Sequence, residues 1–264
     1  ALRPDAAPAR LSHFDQRRGW LYEAGADEVH RLEPTPEQLS QSPETFIRNC
    51  AERHRPTHIV EGRDFRFGAR RAGDVTMLRK LGERFGFEVI VVDAVEAALM
   101  NQQLVTVSST MIRWLVRRGR VRDAALLMGR PYTLRGPVVP GDQRGRTIGL
   151  PTANIDCDDQ LLPHDGVYAG TARRADGTTF PAAISVGTKP TYGTHGRCCE
   201  AHLLDFDGPV DDYGWMVDLV FGDWLRPQIA YPSTEIMMEQ VGRDLAATRD
   251  HAAAPDRSMI TPPA

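Results

Sequence analysis

Residues 141–154 read GDQRGRTIGLPTAN. Gly141, Gly145 and Gly149 let a backbone turn sharply and bring amide hydrogens close to a polyanion, and Arg144 and Arg146 add positive charge. No Gly-Lys-Ser/Thr follows, so a phosphate held here is not held by a P-loop. Thr152 and Asn154 then place a hydroxyl and an amide oxygen on alternate positions of an extended segment, hence on the same side of it. Hard oxygens of that kind suit Mg²⁺ carrying ATP phosphates. The same residues also make a glycine-rich hairpin followed by a strand with two satisfied polar side chains, and residue types alone leave both open.

Outward from this stretch the texture is β. After Gly129, glycines and prolines punctuate short β-branched or aromatic runs at 167–171, 182–186 and 215–221, which predicts a compact antiparallel barrel. Ser233 then caps an amphipathic helix carrying Ile236, Met237, Val241 and Leu245, expected to pack on that barrel. Upstream, residues 11–121 alternate helical stretches with short apolar runs, the pattern of a parallel α/β unit. Leu11, Phe14, Leu21 and Ala24 have helical spacing before a Gly25 C-cap, and 28–32 is expected as a strand. Ser42-Pro43-Glu44 opens a helix, 58–60 reads as a buried strand, 74–85 as a helix, and EVIVV at 88–92 as the clearest strand of this half. The expected organisation is an α/β domain at 1–128, a β-barrel with a C-terminal helix at 129–251, and a loose Ala/Pro-rich tail at 252–264.

A second candidate for chemistry is Glu200, in the run CCEAHLLDF. On a strand, Cys199, Ala201 and Leu203 take one side and Glu200, His202 and Leu204 the other. A carboxylate beside a metal could accept a proton from a hydroxyl attacking the γ-phosphorus, the task of a base in phosphoryl transfer; the bland alternative is a surface acid paired with an arginine. In the first half, Asp64, Phe65 and Phe67 follow the strand near Ile59, where open α/β sheets bind ligands and two aromatics can stack a flat ring or simply fill the core. Ser108, Ser109 and Thr110 stand at a helix start with Arg113 one turn on, a geometry for an anion or merely a capped helix.

The 264 residues carry 32 basic and 35 acidic side chains, a formal charge of −3, so no strong field gathers nucleic acid or an acidic membrane. Cys50, Cys157, Cys198 and Cys199 show no CxxC spacing, which speaks against a zinc site or a disulfide framework. No apolar run reaches the roughly 18 residues of a membrane span, and the opening ALRPDAAPAR lacks a signal-peptide core. A cytoplasmic protein acting on small molecules is expected; oligomeric state is not legible.

The order Gly62-x-Asp64-Phe65-x-Phe67-Gly68, Ser108-Ser109-Thr110-x-Ile112-Arg113, Gly129-Arg130-Pro131-Tyr132, Gly145 through the PTAN segment, and Gly166-Val167-Tyr168 resembles the prokaryotic bifunctional riboflavin kinase/FMN adenylyltransferase (FAD synthetase) family. Pro190-Thr191-Tyr192, Glu200 and Leu225-Arg226 continue it in register over nearly the whole chain. The resemblance implies a Greek-key barrel kinase with Gly145, Arg146 and Gly149 at the nucleotide phosphates, Thr152 and Asn154 on Mg²⁺-ATP, Glu200 as base toward the ribityl terminal hydroxyl of riboflavin, and Arg226 at the flavin. It further implies a nucleotidyltransferase-like first half, with Ser109, Thr110 and Arg113 at the phosphates of ATP and Asp64, Phe65 and Phe67 at the flavin, making FAD from FMN. Leu150 stands where the family usually has Phe, and Lys189 where Asn or Arg is more usual. Family members also open with a strand, a glycine-bearing turn and an HxGH motif, and none of the eight histidines here forms that pattern. Such a βαβ unit takes roughly 30 residues. A riboflavin kinase with an impaired adenylyltransferase half is therefore expected. The alternatives are a fragment of a fully bifunctional enzyme and a non-catalytic flavin-binding module.

Overall fold

The structure, a computed structural model, describes residues 7–141, 144–147, 149–157, 159–188, 197–209 and 211–254. Internal contacts divide the chain into one unit of residues 1–7 and 22–96 and another of residues 8–21 and 97–264.

In the first unit, helices α2 (Pro36–Ser40) and α3 (Pro43–His54) follow α1 (Phe14–Glu23), which begins in the other unit. The Ser42 hydroxyl accepts the amide hydrogen of Thr45 at 3.1 Å, and Pro43 supplies the first helical φ, so α3 starts where the sequence says it should. Strands β1 (His58–Gly62) and β2 (Glu88–Val92) pair in parallel, with α4 (Val75–Phe85) between them in sequence. Asp74 caps α4 by accepting the Met77 amide at 2.8 Å, and Gly86, at φ 82°, ends it. Ile47, Phe67, Leu78, Leu81 and Phe87 form the core beneath this sheet.

Two expectations need correction. The strand at 58–60 exists but is not buried: Val60 is 57% exposed and its partner Ile90 47%, because within this unit the core covers only the face carrying Ile59 and Val89. Residues 28–32 form no strand. Their side chains are spent on local ion pairs, His30 with Glu28 and Arg31 with Glu33, both at 2.8 Å, and Leu32 is exposed.

Short strands β3 (Glu96–Ala98), which starts at the last residue of the first unit, and β4 (Leu104–Thr106) precede helices α5 (Ser109–Val116) and α6 (Val121–Met128) of the second. Ser108 caps α5 through the Met111 amide at 3.1 Å. Six strands follow: β5 (Thr133–Val139), β6 (Ala153–Ile155), β7 (Gly166–Arg174), β8 (Thr179–Gly187), β9 (Cys198–Leu203) and β10 (Met216–Arg226). They close into an antiparallel barrel in the order β10-β5-β6-β9-β8-β7. Strands β7, β8 and β9 run as a meander and β10 returns beside β7, which is a Greek key. A four-residue turn of helix, α7 (Arg144–Thr147), lies between β5 and β6.

The interior is filled by alternate residues of each strand. Tyr168 and Phe221 meet edge to face at 5.2 Å, and the Tyr132 hydroxyl donates to the Leu161 carbonyl at 2.6 Å. Leu115, Val116, Val121 and Ala124 of α5 and α6 belong to the same apolar cluster, so these helices pack with the barrel although they precede the change of texture at Gly129. Helix α8 (Thr234–Ala253) packs on β7, β8 and β10, capped by Ser233 as expected. Of the expected stripe, Met237, Val241 and Leu245 are half-buried while Ile236 is 48% exposed, and the buried Asp244 and Thr248 add a polar clamp to this face.

On the barrel wall Arg135, Asp218 and Arg173 lie directly opposite one another on β5, β10 and β7. Asp218 is buried, takes both forks of Arg135 at 2.6 Å, and accepts from Arg173 at 3.1 Å. Replacing Asp218→Ala leaves two guanidiniums facing each other across a strand without a counter-charge. The expected loss is about 2–3 kcal/mol, below the cost of a fully buried pair because both arginines stay partly hydrated. It reads as a lower urea midpoint for the barrel transition with the same slope; a change under about 0.5 kcal/mol would show the ladder to be ornamental.

Candidate functional site

Strand β6 has only three residues, and it enters the barrel between β5 and β9. Ile155 is buried, and by strand alternation Asn154 therefore points out of the barrel. Its partners in register are Val139 on β5 and Glu200 on β9; Glu200 in turn faces Ser185 on β8, Ser185 faces Val167 on β7, and Val167 faces Arg226 on β10. The residues flanking Glu200 on its own strand, Cys199 and Ala201, are 1% and 0% exposed, so the carboxylate lies on the outer side with Asn154. Directly opposed residues of an antiparallel pair have Cβ atoms about 4.5–5.5 Å apart. The fold thus sets an amide and a carboxylate side by side, 46 positions apart in sequence (200 − 154).

The surroundings hold this pair in place. Gly141 lies so close over Asn154 that a Cβ there would come within 1.9 Å of the amide nitrogen, so a larger residue would push the Asn154 side chain aside. The turn 145–150 closes on itself, with the Leu150 amide donating to the Gly145 carbonyl at 2.7 Å and the Gly149 amide to the Arg146 carbonyl at 3.1 Å. Gly149 has φ 76°, which favours glycine. Arg146 pairs with Asp211 at 2.5 Å and donates to the Tyr213 hydroxyl at 3.3 Å. Thr152 is exposed one residue before β6, and a His202 ring nitrogen sits 2.8 Å from the Pro151 carbonyl just before it. The Gln228 amide donates to the Ser185 hydroxyl at 2.9 Å, next to Glu200.

Arg226 closes the row but turns away from it. Its guanidinium grips Asp244 of α8 at 2.9 and 2.7 Å, Asp244 also accepts from Gln240 at 3.0 Å, and the Tyr231 ring lies 5.6 Å from the guanidinium carbon. Its carboxylate partner is only 7% exposed at the side chain, so this pair ties α8 to β10.

The remaining candidates are distributed between the units. In the first, Asp64 is exposed in the turn after β1, Phe65 stacks on Phe67 at 5.4 Å, and Phe67 is a core residue, 5% exposed. In the second, Ser109 and Thr110 are exposed on the first turn of α5, and Arg113 donates to the carbonyls of Ala9 at 3.0 Å and Ser109 at 3.2 Å. Ile148 and the segment 189–196, with Lys189, Pro190, Thr191 and Tyr192, lie outside the described residues.

Sequence reasoning put His202 on the same strand face as Glu200 but gave it no task, and it passed over Ser185, Gln228 and Asp211. Alternation made the facing of His202 legible, whereas its partner Pro151 is 51 positions away and carries no local signal. Leu204 is not on the Glu200 face as expected: β9 ends at Leu203, the chain turns, and both leucines are buried.

Residues 128–252 match the riboflavin kinase family and residues 1–111 the FAD synthetase family. The bifunctional riboflavin kinase/FMN adenylyltransferase of Escherichia coli is 32% identical over 247 residues, covering 93% of this chain and 77% of that protein. Its namesake in Haemophilus influenzae is 34% identical over 244 residues, covering 92% and 77%. A solved structure described as a macrolide-efflux protein from Streptococcus pneumoniae superposes with a TM-score of 0.78 at 29% identity, over 91% of this chain and 75% of that one. The mention of efflux concerns that protein; here, no helix among the described residues is long and apolar enough to cross a membrane.

Arg226→Ala tests whether this arginine is a clamp. Removing it strands a buried carboxylate, and a loss of about 3–5 kcal/mol is expected in denaturant unfolding. Unchanged stability with weakened flavin binding would instead make Arg226 a ligand contact.

Proposed function

The chain belongs to the bifunctional riboflavin kinase/FMN adenylyltransferase family, and from that premise we propose that its barrel transfers the γ-phosphate of ATP to the ribityl terminal hydroxyl of riboflavin, giving FMN and ADP. The observation that carries this is the cross-strand pair of Asn154 and Glu200 on the outer face of the barrel. A phosphoryl-transfer site needs oxygens that gather a metal–nucleotide next to a group able to take the attacking hydroxyl's proton. The β6–β9 pair supplies both.

The roles follow from position. The tight turn through Gly145 and Gly149 presents backbone to the nucleotide phosphates, and Arg146, anchored on Asp211 and Tyr213, fixes where that turn lies. Thr152 and Asn154 offer neutral oxygens. The fit to Mg²⁺ rests on Asn154, whose amide lies under the space that a glycine at 141 leaves open. Among the described residues no three His, Cys, Asp or Glu side chains cluster, so the ion's other ligands would be phosphate oxygens and water, as Mg²⁺ prefers. Bound there, Mg²⁺ supplies charge neutralisation at the phosphates. Glu200 takes the proton from the ribityl hydroxyl as its oxygen bonds to the γ-phosphorus, while the bridging P–O bond breaks and its electrons leave with ADP.

For the first half, Asp64 with Phe65 is proposed at a flavin subsite and Ser109, Thr110 and Arg113 at ATP phosphates. Phe67, a core residue, would shape the former by supporting Phe65. None of the eight histidines stands in an HxGH pattern, so the polypeptide 1–264 is proposed to form FMN and little FAD.

Incubation with riboflavin, ATP and Mg²⁺, followed by flavin separation, is expected to show FMN far in excess of FAD. Glu200→Gln should lower kcat by about 10²–10⁴-fold, the usual worth of a positioned base, with little change in the KM for riboflavin. A kcat indifferent to that substitution would remove Glu200 as the base, absence of FMN altogether would leave a flavin-binding module without turnover, and FAD in quantity would refute the assignment of the first half.

A further inference from the structure

Strand β6 is short because of what precedes it. Its ladder with β9 runs from Ile155 opposite Cys199 to Ala153 opposite Ala201 and stops there. Extending the register by one would set Thr152 against His202, but the described strand begins only at Ala153. Pro151 has no amide hydrogen to give a ladder, so only its carbonyl can still tie this stretch to β9. That carbonyl lies 2.8 Å from Nδ1 of His202. A carbonyl oxygen has no hydrogen, so Nδ1–H is the donor.

We propose that His202 is a positioning residue of the kinase site: its side chain replaces the missing rung of the ladder and fixes the Pro151–Thr152 peptide, thereby aiming the Thr152 hydroxyl beside Asn154. This rests on the function proposed above and goes beyond it by naming the group that shapes the metal–nucleotide segment. Three features support the role. Thr152 is exposed and lies outside any strand, so its place is set by its neighbours. His202 is half-buried and shares the outer face of β9 with Glu200, so the segment and the base are referred to one rigid strand. Donation of Nδ1–H to a backbone carbonyl fixes the ring's tautomer and orientation, so the imidazole holds the Pro151 carbonyl at a set place.

Outer-shell partners of metal ligands typically cost about 10–100-fold in metal affinity or activity when removed. His202→Ala is therefore expected to raise the Mg²⁺-ATP concentration for half-maximal rate by about 10–100-fold, with the KM for riboflavin nearly unchanged. His202→Asn, whose amide nitrogen occupies the place of Nδ1, should restore most of that loss. His202→Gln, whose amide reaches instead toward the place of Nε2, should not. Calorimetric titration of Mg²⁺ with a non-hydrolysable ATP analogue into the same variants of the 264-residue chain should give the same ranking without turnover. That binding series separates the two claims: a wild-type chain making no FMN sinks the kinase reading, while the ranking alone judges His202. A loss confined to riboflavin KM, or an Asn variant as impaired as Ala, overturns the proposal; so does a nucleotide affinity that follows the melting temperature across the three variants.

Discussion

The antiparallel pairing of β6 with β9 is the constraint on which the rest depends. Three residues of β6 are in register with three of β9, and the side-chain period of a strand is two, so a slip of one residue would bury Asn154 and send Ile155 to the surface. The apolar requirements of Ile155, Cys199 and Ala201, all turned into the barrel, prevent that slip. Hydrophobic burial on one side of the wall thus sets polar chemistry on the other, and the site inherits its precision from the core.

A barrel wall of this kind resists distortion for a further reason. Its outer side is stitched by ion pairs across strands and to the helix, at Arg135–Asp218–Arg173 and at Arg226–Asp244. Each buried carboxylate has its cation within hydrogen-bond distance, which is the condition under which buried charge is tolerated. Near the site the chain approaches side chains closely: Gly141 over Asn154 and Gly187 against Gln228 are places where a larger residue would displace the neighbouring amide. Rigid placement of a few oxygens is what phosphoryl transfer asks of a protein, since its catalysis is almost entirely positioning and electrostatics.

Much of this was legible in the sequence because it was local. Ser42, Ser108 and Ser233 announced three helix starts, and all three cap as their residue types demand. Alternation put Glu200 and His202 on one face, and glycine and proline punctuation foretold the barrel. What stayed hidden was long-range pairing. Composition gave no hint that Arg226 would be claimed by Asp244, that α8 would bury Asp244 and Thr248, or that α5 and α6 would share the barrel's core. The apolar residues of 58–60 implied burial, but the core of that unit covers only one side of the β1–β2 pair. Residues 28–32 had strand-like spacing without a partner, and an unpaired strand has nothing to satisfy its backbone.

The most direct test is a crystal structure of the chain with Mg²⁺, a non-hydrolysable ATP analogue and riboflavin. The account predicts oxygen ligands from Thr152 and Asn154 at about 2.0–2.1 Å from the ion, and a Glu200 oxygen within about 2.6–3.2 Å of the ribityl terminal hydroxyl. A metal–nucleotide bound away from the PTAN segment, or a flavin hydroxyl that Glu200 does not reach, would contradict it.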